Sequence, residues 1–138
     1  MKLSILITLL NEELVLAQTH KAISEQLDSM ILSEELSDYE ILYVDDGSSD
    51  STLELIDAIA NENPRVKYIS FSRNFGRESG ILAGFKYATG DAVMVMDGDL
   101  QHPPYLIPLF VEAYKEGYDI VSGQRSREGE SFVGSFFA

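Results

Sequence analysis

The feature that most restricts the fold of this chain is a repeated exchange between two hydrophobic periods. Short runs that are apolar on both faces alternate with longer segments whose apolar residues recur three and four apart. The runs are Lys2–Leu10, Tyr39–Asp45, Val66–Phe71, Asp91–Met96 and Tyr118–Ser122. Between them, Asn11 is placed to cap a helix running to about Leu32, with Leu16, Ile23, Leu27, Met30 and Ile31 along one face. A second helix is expected over Thr52–Asn61, capped by Asp50 or Ser51 after a tight turn at Gly47. A third is expected over Gly76–Ala88, closed by Gly90 as a C-cap, and a fourth from Pro104 to Glu116, stopped at Gly117. The tail, Gly123–Ala138, has no strong period but ends in Phe132, Val133, Phe136 and Phe137. Strands apolar on both sides need cover on both sides, so the expected fold class is α/β, a mainly parallel sheet with helices on both faces.

Composition narrows the function. The chain has 138 residues and no cysteine, which excludes disulfides, thiolate zinc sites and a cysteine nucleophile. Its net charge of −13 argues against nucleic acid as a partner. The excess is uneven: residues 1–64 hold 2 basic and 14 acidic side chains, while residues 65–138 hold 8 and 9. An anionic ligand would therefore need a cation or a local basic cluster to approach. The first apolar run is too short to span a bilayer, and Asn11, Glu12 and Glu13 follow it where a signal peptide would be cleaved, so a cytoplasmic address is expected.

In a sheet of this kind ligands bind beyond the carboxyl ends of the strands. The residues at those ends are Asn11-Glu12, Asp45 to Asp50, Ser72-Arg73-Asn74, Asp97-Gly98-Asp99 and Gly123-Gln124-Arg125, a rim rich in charged and amide groups. Asp97 and Asp99, separated by one glycine, suit a hard cation such as Mg2+ or Mn2+, with Gln101 a further oxygen donor; an ordinary acidic turn fits the same three residues. Asp46 can accept hydrogen bonds from a base or ribose, or simply belong to a turn. Arg73 and Arg77 offer either phosphate contacts, near a helix start at Gly76, or structural ion pairs. No GxxxxGK[ST] loop, GxGxxG fingerprint or GxSxG elbow is present, and His102 reads as a loop side chain rather than a general base.

Taken in order, Asn11-Glu12, YEILYVDDGSSDST and ISFSRNFGRESGILAGFKYATGDAVMVMDGDLQHPP resemble the inverting nucleotide-sugar glycosyltransferases of family 2. Within it they are most similar to the polyprenyl-phosphate branch, which includes dolichol-phosphate mannose synthases and bactoprenol glucosyltransferases. The resemblance runs from Leu3 to about Arg127. It implies a GT-A, Rossmann-like nucleotide-sugar fold, with Asn11, Glu12, Asp46 and Asp97 at the nucleotide. Asp97, Asp99 and Gln101 would hold Mg2+ or Mn2+, and Arg125 would lie near the acceptor phosphate. Thr8 and Leu10 stand where relatives commonly carry proline and an aromatic residue.

The activity implied is inverting transfer of a hexose from a UDP- or GDP-sugar to a polyprenyl phosphate at the cytoplasmic face of a membrane. No catalytic base is identified in the chain. Two other readings of the same rim are a noncatalytic nucleotide-binding module and a metal-dependent nucleotidyl or phosphoryl transferase. Relatives continue further, so residues 1–138 are expected to form the donor-binding portion of a larger enzyme, its apolar C-terminal edge meeting another segment or a second copy.

Overall fold

The computed structural model describes residues 1–99, 101–125 and 132–137, with side chains up to residue 119. Two compact units, Met1–Pro104 and Tyr105–Ala138, divide the chain. The first contains β1 (Lys2–Leu9), α1 (Leu16–Leu32), β2 (Asp38–Asp45), α2 (Thr52–Glu62), β3 (Val66–Ser70), α3 (Arg77–Tyr87) and β4 (Ala92–Asp97). Its four strands form one parallel sheet in the order β3-β2-β1-β4. This is the expected α/β arrangement.

The handedness of the crossovers decides which helix covers which face. From β1 to β3 the chain moves steadily outward, then returns past β1 to lay down β4. Right-handed crossovers in opposite directions deposit their helices on opposite faces. On one face, α3 lies over Leu6, Leu42 and Val44, with Ile69, Phe71, Ile81, Val93 and Val95 packed around them. The approach is close: a Cβ on Gly84 would overlap the Leu6 side chain, and one on Gly80 would lie 2.9 Å from Thr8 Cγ2. On the other face, Tyr39 donates to Asp28 of α1 at 2.6 Å, and the Tyr43 hydroxyl meets His20 of α1 at 2.8 Å. Burial holds the His20 imidazole below its ordinary pKa, with Asp28 opposing that shift.

Several helix ends differ from expectation. Asn11 does not cap α1: it has a positive φ of 53°, and the helix begins five residues later behind Val15, without a side-chain cap. A turn intervenes, in which Val15 and Leu16 both donate to the Glu12 carbonyl. At α2 it is Asp50, one residue ahead of the helix boundary, that accepts from the Thr52 N–H at 2.9 Å and the Thr52 hydroxyl at 2.5 Å. Gly90 is no C-cap, because α3 ends three residues earlier and Gly90 lacks a positive φ. It is needed for proximity instead: a Cβ there would stand 2.6 Å from Ser4 Oγ and 2.7 Å from Ser4 N.

In the second unit, α4 spans Leu106–Lys115. Pro108 falls in its first turn, where the missing N–H costs no helical bond, and Gly117 (φ 103°) follows the last turn. The fifth strand, expected over Tyr118–Ser122, is β5 (Ile120–Arg125), shifted because residues up to Tyr118 are still turning: Tyr118 N–H donates to the Ala113 carbonyl. It pairs antiparallel with β6 (Phe132–Phe137), a strand the unpatterned tail did not announce. Among the described residues, no helix is long and apolar enough to cross a membrane.

At the amino ends of the strands, Glu40 is buried and ties four segments together. It accepts from Ser4 Oγ at 2.7 Å, Thr89 N–H at 2.6 Å and Lys67 Nζ at 3.1 Å. Burial pushes its carboxyl upward, but the bonds from Thr89, Ser4 and Lys67 outweigh that and hold it at about 2. A depressed folded pKa contributes stability above the unfolded value, near 4.5, and that contribution fades as pH falls toward 2. Glu40→Gln is therefore expected to lower unfolding stability at pH 7 by roughly 1–3 kcal/mol, and by much less at pH 2.5. Urea unfolding of both proteins at the two pH values checks this; an equal difference at both would contradict it.

Candidate functional site

The return of the chain past β1 places the carboxyl ends of β1 and β4 side by side at the point where the strand order reverses, which is where ligands bind in sheets of this kind. A cleft of about 290 Å³ occupies that place. Thr8, Leu9 and Leu10 line it from β1, Asp97 to Asp99 from β4, and Gly76 and Arg77 from the start of α3, with Glu12 and Asp46 completing the wall.

Asp46 organises one side. Only 4% exposed, it accepts from the Phe75 N–H at 2.7 Å through Oδ1 and from the Gly76 N–H at 3.1 Å through Oδ2. The loop after β2 is thereby joined to the loop before α3. Gly47 permits the contact: its φ is 75°, and a Cβ would overlap the Arg73 carbonyl carbon. Asn11 lies beside this loop rather than in the cleft wall. Its amide oxygen accepts from Ser49 N–H at 2.8 Å and Asp50 N–H at 3.3 Å, while its own N–H donates to Ser48 Oγ at 2.9 Å. Glu12 N–H donates to Thr52 Oγ1 at 2.9 Å, and the residue lines the cleft.

The other side is Asp97-Gly98-Asp99. A Cβ on Gly98 would collide with Leu9 Cδ2, so this position needs glycine for space rather than for a positive φ. Thr19 of α1 donates to the Gly98 carbonyl at 3.1 Å and anchors the turn from below. Asp97 Oδ1 receives both Nε and Nη2 of Arg77, at 3.2 and 3.0 Å. Asp97 N–H donates to His102 Nδ1 at 3.0 Å. That nitrogen also lies 3.7 Å from Asp97 Oδ2. Asp99 Oδ1 accepts from the Gln101 N–H at 3.1 Å.

Negative charge accumulates in the cleft. The Glu12 carboxyl is held above the usual carboxylate range, first by burial and then by the charges of Asp99 and Asp50. Against Glu12, Asp46, Asp97 and Asp99, the one cation in the wall among the described residues is Arg77. Hard oxygen donors under like-charge strain fit a divalent cation. Among the described residues no three acidic or histidine side chains form a complete metal cluster. A cation here would rest on Asp97 and Asp99 and take its remaining ligands from substrate oxygens and water, which is how Mg2+ commonly binds.

The sequence rim is thus brought together for Glu12, Asp46, Asp97 and Asp99, while Asn11 supports it from behind. Arg73 lies over the Phe75 ring at 4.5 Å, and Arg77 takes the ion pair. Arg125 ends β5 in the other unit, and its side chain lies outside the described residues, as does the apolar surface of Phe132 to Phe137. Sequence reasoning overlooked Leu9 and Thr19 as site-forming residues, and named Gly98 without its role in close packing. The signal for Gly98 was present in the Asp-Gly-Asp spacing but was equally that of a turn; Thr19 left no signal, being 79 residues away in sequence.

The family model described as Glycosyl transferase family 2 matches residues 4–135. CsbB of Bacillus subtilis (strain 168), which carries a provisional glycosyltransferase name, is 47% identical over 136 residues, 99% of this chain and 40% of its own. The bactoprenol glucosyl transferase of Shigella phage SfX is 40% identical over 128 residues, 91% of this chain and 40% of its own. The chain therefore spans about 40% of the length of these curated relatives. Among solved structures, the mannosyltransferase PcManGT from Pyrobaculum calidifontis, in complex with GDP-Man and Mn2+, shares the fold. Its TM-score is 0.58 at 20% identity, over 70% of this chain and 27% of that one.

The Asp46 bonds make a prediction independent of ligand. In Asp46→Asn one oxygen can still accept, but the amide nitrogen would face a second N–H donor. The expected cost is about 1–3 kcal/mol, with faster hydrogen exchange at the Phe75 and Gly76 amides. Unchanged protection at both amides would show that Asp46 does not hold the loop.

Proposed function

The chain belongs to glycosyltransferase family 2, and from that premise we propose that it is the donor-binding part of an enzyme transferring a hexose from a UDP- or GDP-sugar to a polyprenyl phosphate, with inversion at the sugar. The observation that carries the reading is the pair Asp97 and Asp99 at the end of β4, in one cleft with the end of β1 and Asp46. Glu12 and Asp46 border the nucleoside, with Asn11 bracing the loop behind them. Asp97 and Asp99, with Gln101 nearby, hold a Mg2+ or Mn2+ ion at the diphosphate. When bound, such an ion supplies positive charge to the leaving group. The Mn2+ complex of the structurally similar mannosyltransferase supports the choice of ion, and the name of the Shigella phage relative supports a lipid-linked acceptor.

The residues divide the work by position. Leu9 and Leu10 keep one wall of the cleft apolar, which strengthens charge interactions inside it. Asp46 fixes the loop that carries Gly76 and Arg77, so the start of α3 faces the region where phosphate oxygens would lie. A phosphate monoester acceptor is already ionised at neutral pH and needs no general base to become a nucleophile. That matches a described cleft whose carboxylates are engaged in holding structure or available to a cation. Arg125 is proposed to meet the acceptor phosphate, and the whole enzyme to work at the cytoplasmic face of a membrane.

Calorimetric titration of UDP-glucose and GDP-mannose, with and without Mn2+, tests the reading. One of the two is expected to bind only with the ion, and Asp99→Asn to weaken that binding by at least about tenfold. Binding that is indifferent to chelator and to Asp99→Asn, or no binding of either sugar nucleotide, would refute it.

A further inference from the structure

We propose that Arg77 is an internal counter-cation for Asp97, which a divalent ion must displace and a sugar-nucleotide diphosphate then receives. The ion and the donor would therefore bind better together than either does alone. The proposal rests on the donor-and-metal reading above and adds to it a positioning residue that couples the two ligands.

The geometry points to exchange rather than to a fixed structural pair. Both Arg77 nitrogens converge on one oxygen of Asp97, Oδ1, at 3.2 and 3.0 Å. They occupy part of the carboxylate that an ion would need. The Arg77 side chain is 54% exposed, and Asp97 is 31% exposed. Contacts at such exposure form and break readily, and ion pairs of this kind alter equilibria by only a few-fold to about tenfold. By contrast, the Asp46 carboxylate that holds the same segment at 2.7 and 3.1 Å is only 4% exposed, so the backbone of Gly76 can stay fixed while the Arg77 side chain moves.

Charge supplies the direction. Without a ligand, Arg77 offsets one of four carboxylates in the wall. A divalent ion arriving alone must meet Asp97 already paired, and the displaced guanidinium then faces an added positive charge. A diphosphate arriving alone meets the negative charges of Glu12 and Asp99, with Arg77 still committed to Asp97. When both arrive, Asp97 and Asp99 take the ion, and the guanidinium turns to phosphate oxygens, for which its planar donors are suited. Linkage makes this reciprocal: whatever factor the diphosphate adds to ion affinity, the ion adds to diphosphate affinity.

Mn2+ alone would be titrated into the 138-residue chain, with free ion read by electron paramagnetic resonance, and the titration repeated with saturating UDP. Arg77→Gln is expected to tighten Mn2+ binding without UDP by about 3- to 10-fold. It should also shrink the enhancement that UDP gives the wild-type chain, while Arg77→Lys, which keeps the charge, stays nearer wild type in both. Mn2+ affinity that is unchanged or weaker in Arg77→Gln, or an undiminished UDP enhancement, would overturn the proposal and leave the donor-and-metal reading standing. Absence of Mn2+ binding, with UDP as well as without it, in the wild type and both variants would overturn both.

Discussion

The two backbone hydrogen bonds accepted by Asp46 are the interaction on which the cleft depends. Strands of a parallel sheet end in separate loops, and nothing in the sheet itself positions one loop against the next. Here one nearly buried carboxylate at the end of β2 binds the N–H groups of Phe75 and Gly76, at the entrance to α3. Bonds to a charged acceptor in a water-poor setting are stronger than neutral ones, and the Gly76 N–H is shared with Asn74 Oδ1 at 2.9 Å, which draws the loop together further. Gly47 lets the chain come close enough to make them. Arg77 follows directly in sequence, so the reach of its side chain to Asp97 is set by a contact made from a different strand.

Close approach recurs as the means by which this domain turns a generic sheet into a site. Gly80 and Gly84 let α3 settle on Thr8 and Leu6, and Gly98 lets the turn after β4 pass over Leu9. Each glycine removes a side chain where a helix or turn and a side chain of the sheet compete for one volume. The result is that the ends of β1 and β4 and the start of α3 share one small cleft. Glu40 does comparable work at the opposite ends of the strands by polar means, joining Ser4, Thr89 and Lys67.

Much of this was legible in the sequence because the period of hydrophobicity is a local property. The runs at Lys2, Tyr39, Val66 and Asp91 became β1 to β4 with shifts of a residue or so at their ends. The rim followed from strand direction, which placed Glu12, Asp46, Asp97 and Asp99 together without any knowledge of contacts. What was not legible involved partners distant in sequence. Asn11 reads as a cap because asparagine precedes a helical pattern, yet its amide is taken by Ser49 and Asp50 across the sheet. Gly90 reads as a helix stop because it follows one, yet its smallness answers to Ser4. The hairpin of β5 and β6 was missed for a different reason: Phe-Val-Gly-Ser-Phe-Phe does not alternate, so its period announced nothing.

The acidity of the chain then ceases to be at odds with an anionic ligand. With 14 acidic residues among the first 64, the field of the domain opposes a diphosphate at a distance. Several of those carboxylates are already committed to neutral donors: Asp46 to backbone N–H groups, Asp50 to Thr52, Asp28 to Tyr39. Within the cleft, the relevant quantity is the balance between Asp97, Asp99, Glu12 and whatever positive charge is at hand. On the proposed reading, a divalent ion would change that balance by two units at once, and the Arg77 guanidinium by one, while the molecule as a whole stays strongly negative. On that reading, local charge at this site is adjustable while the overall charge stays strongly negative, and recognition of an anion would be conditional on a cation being present.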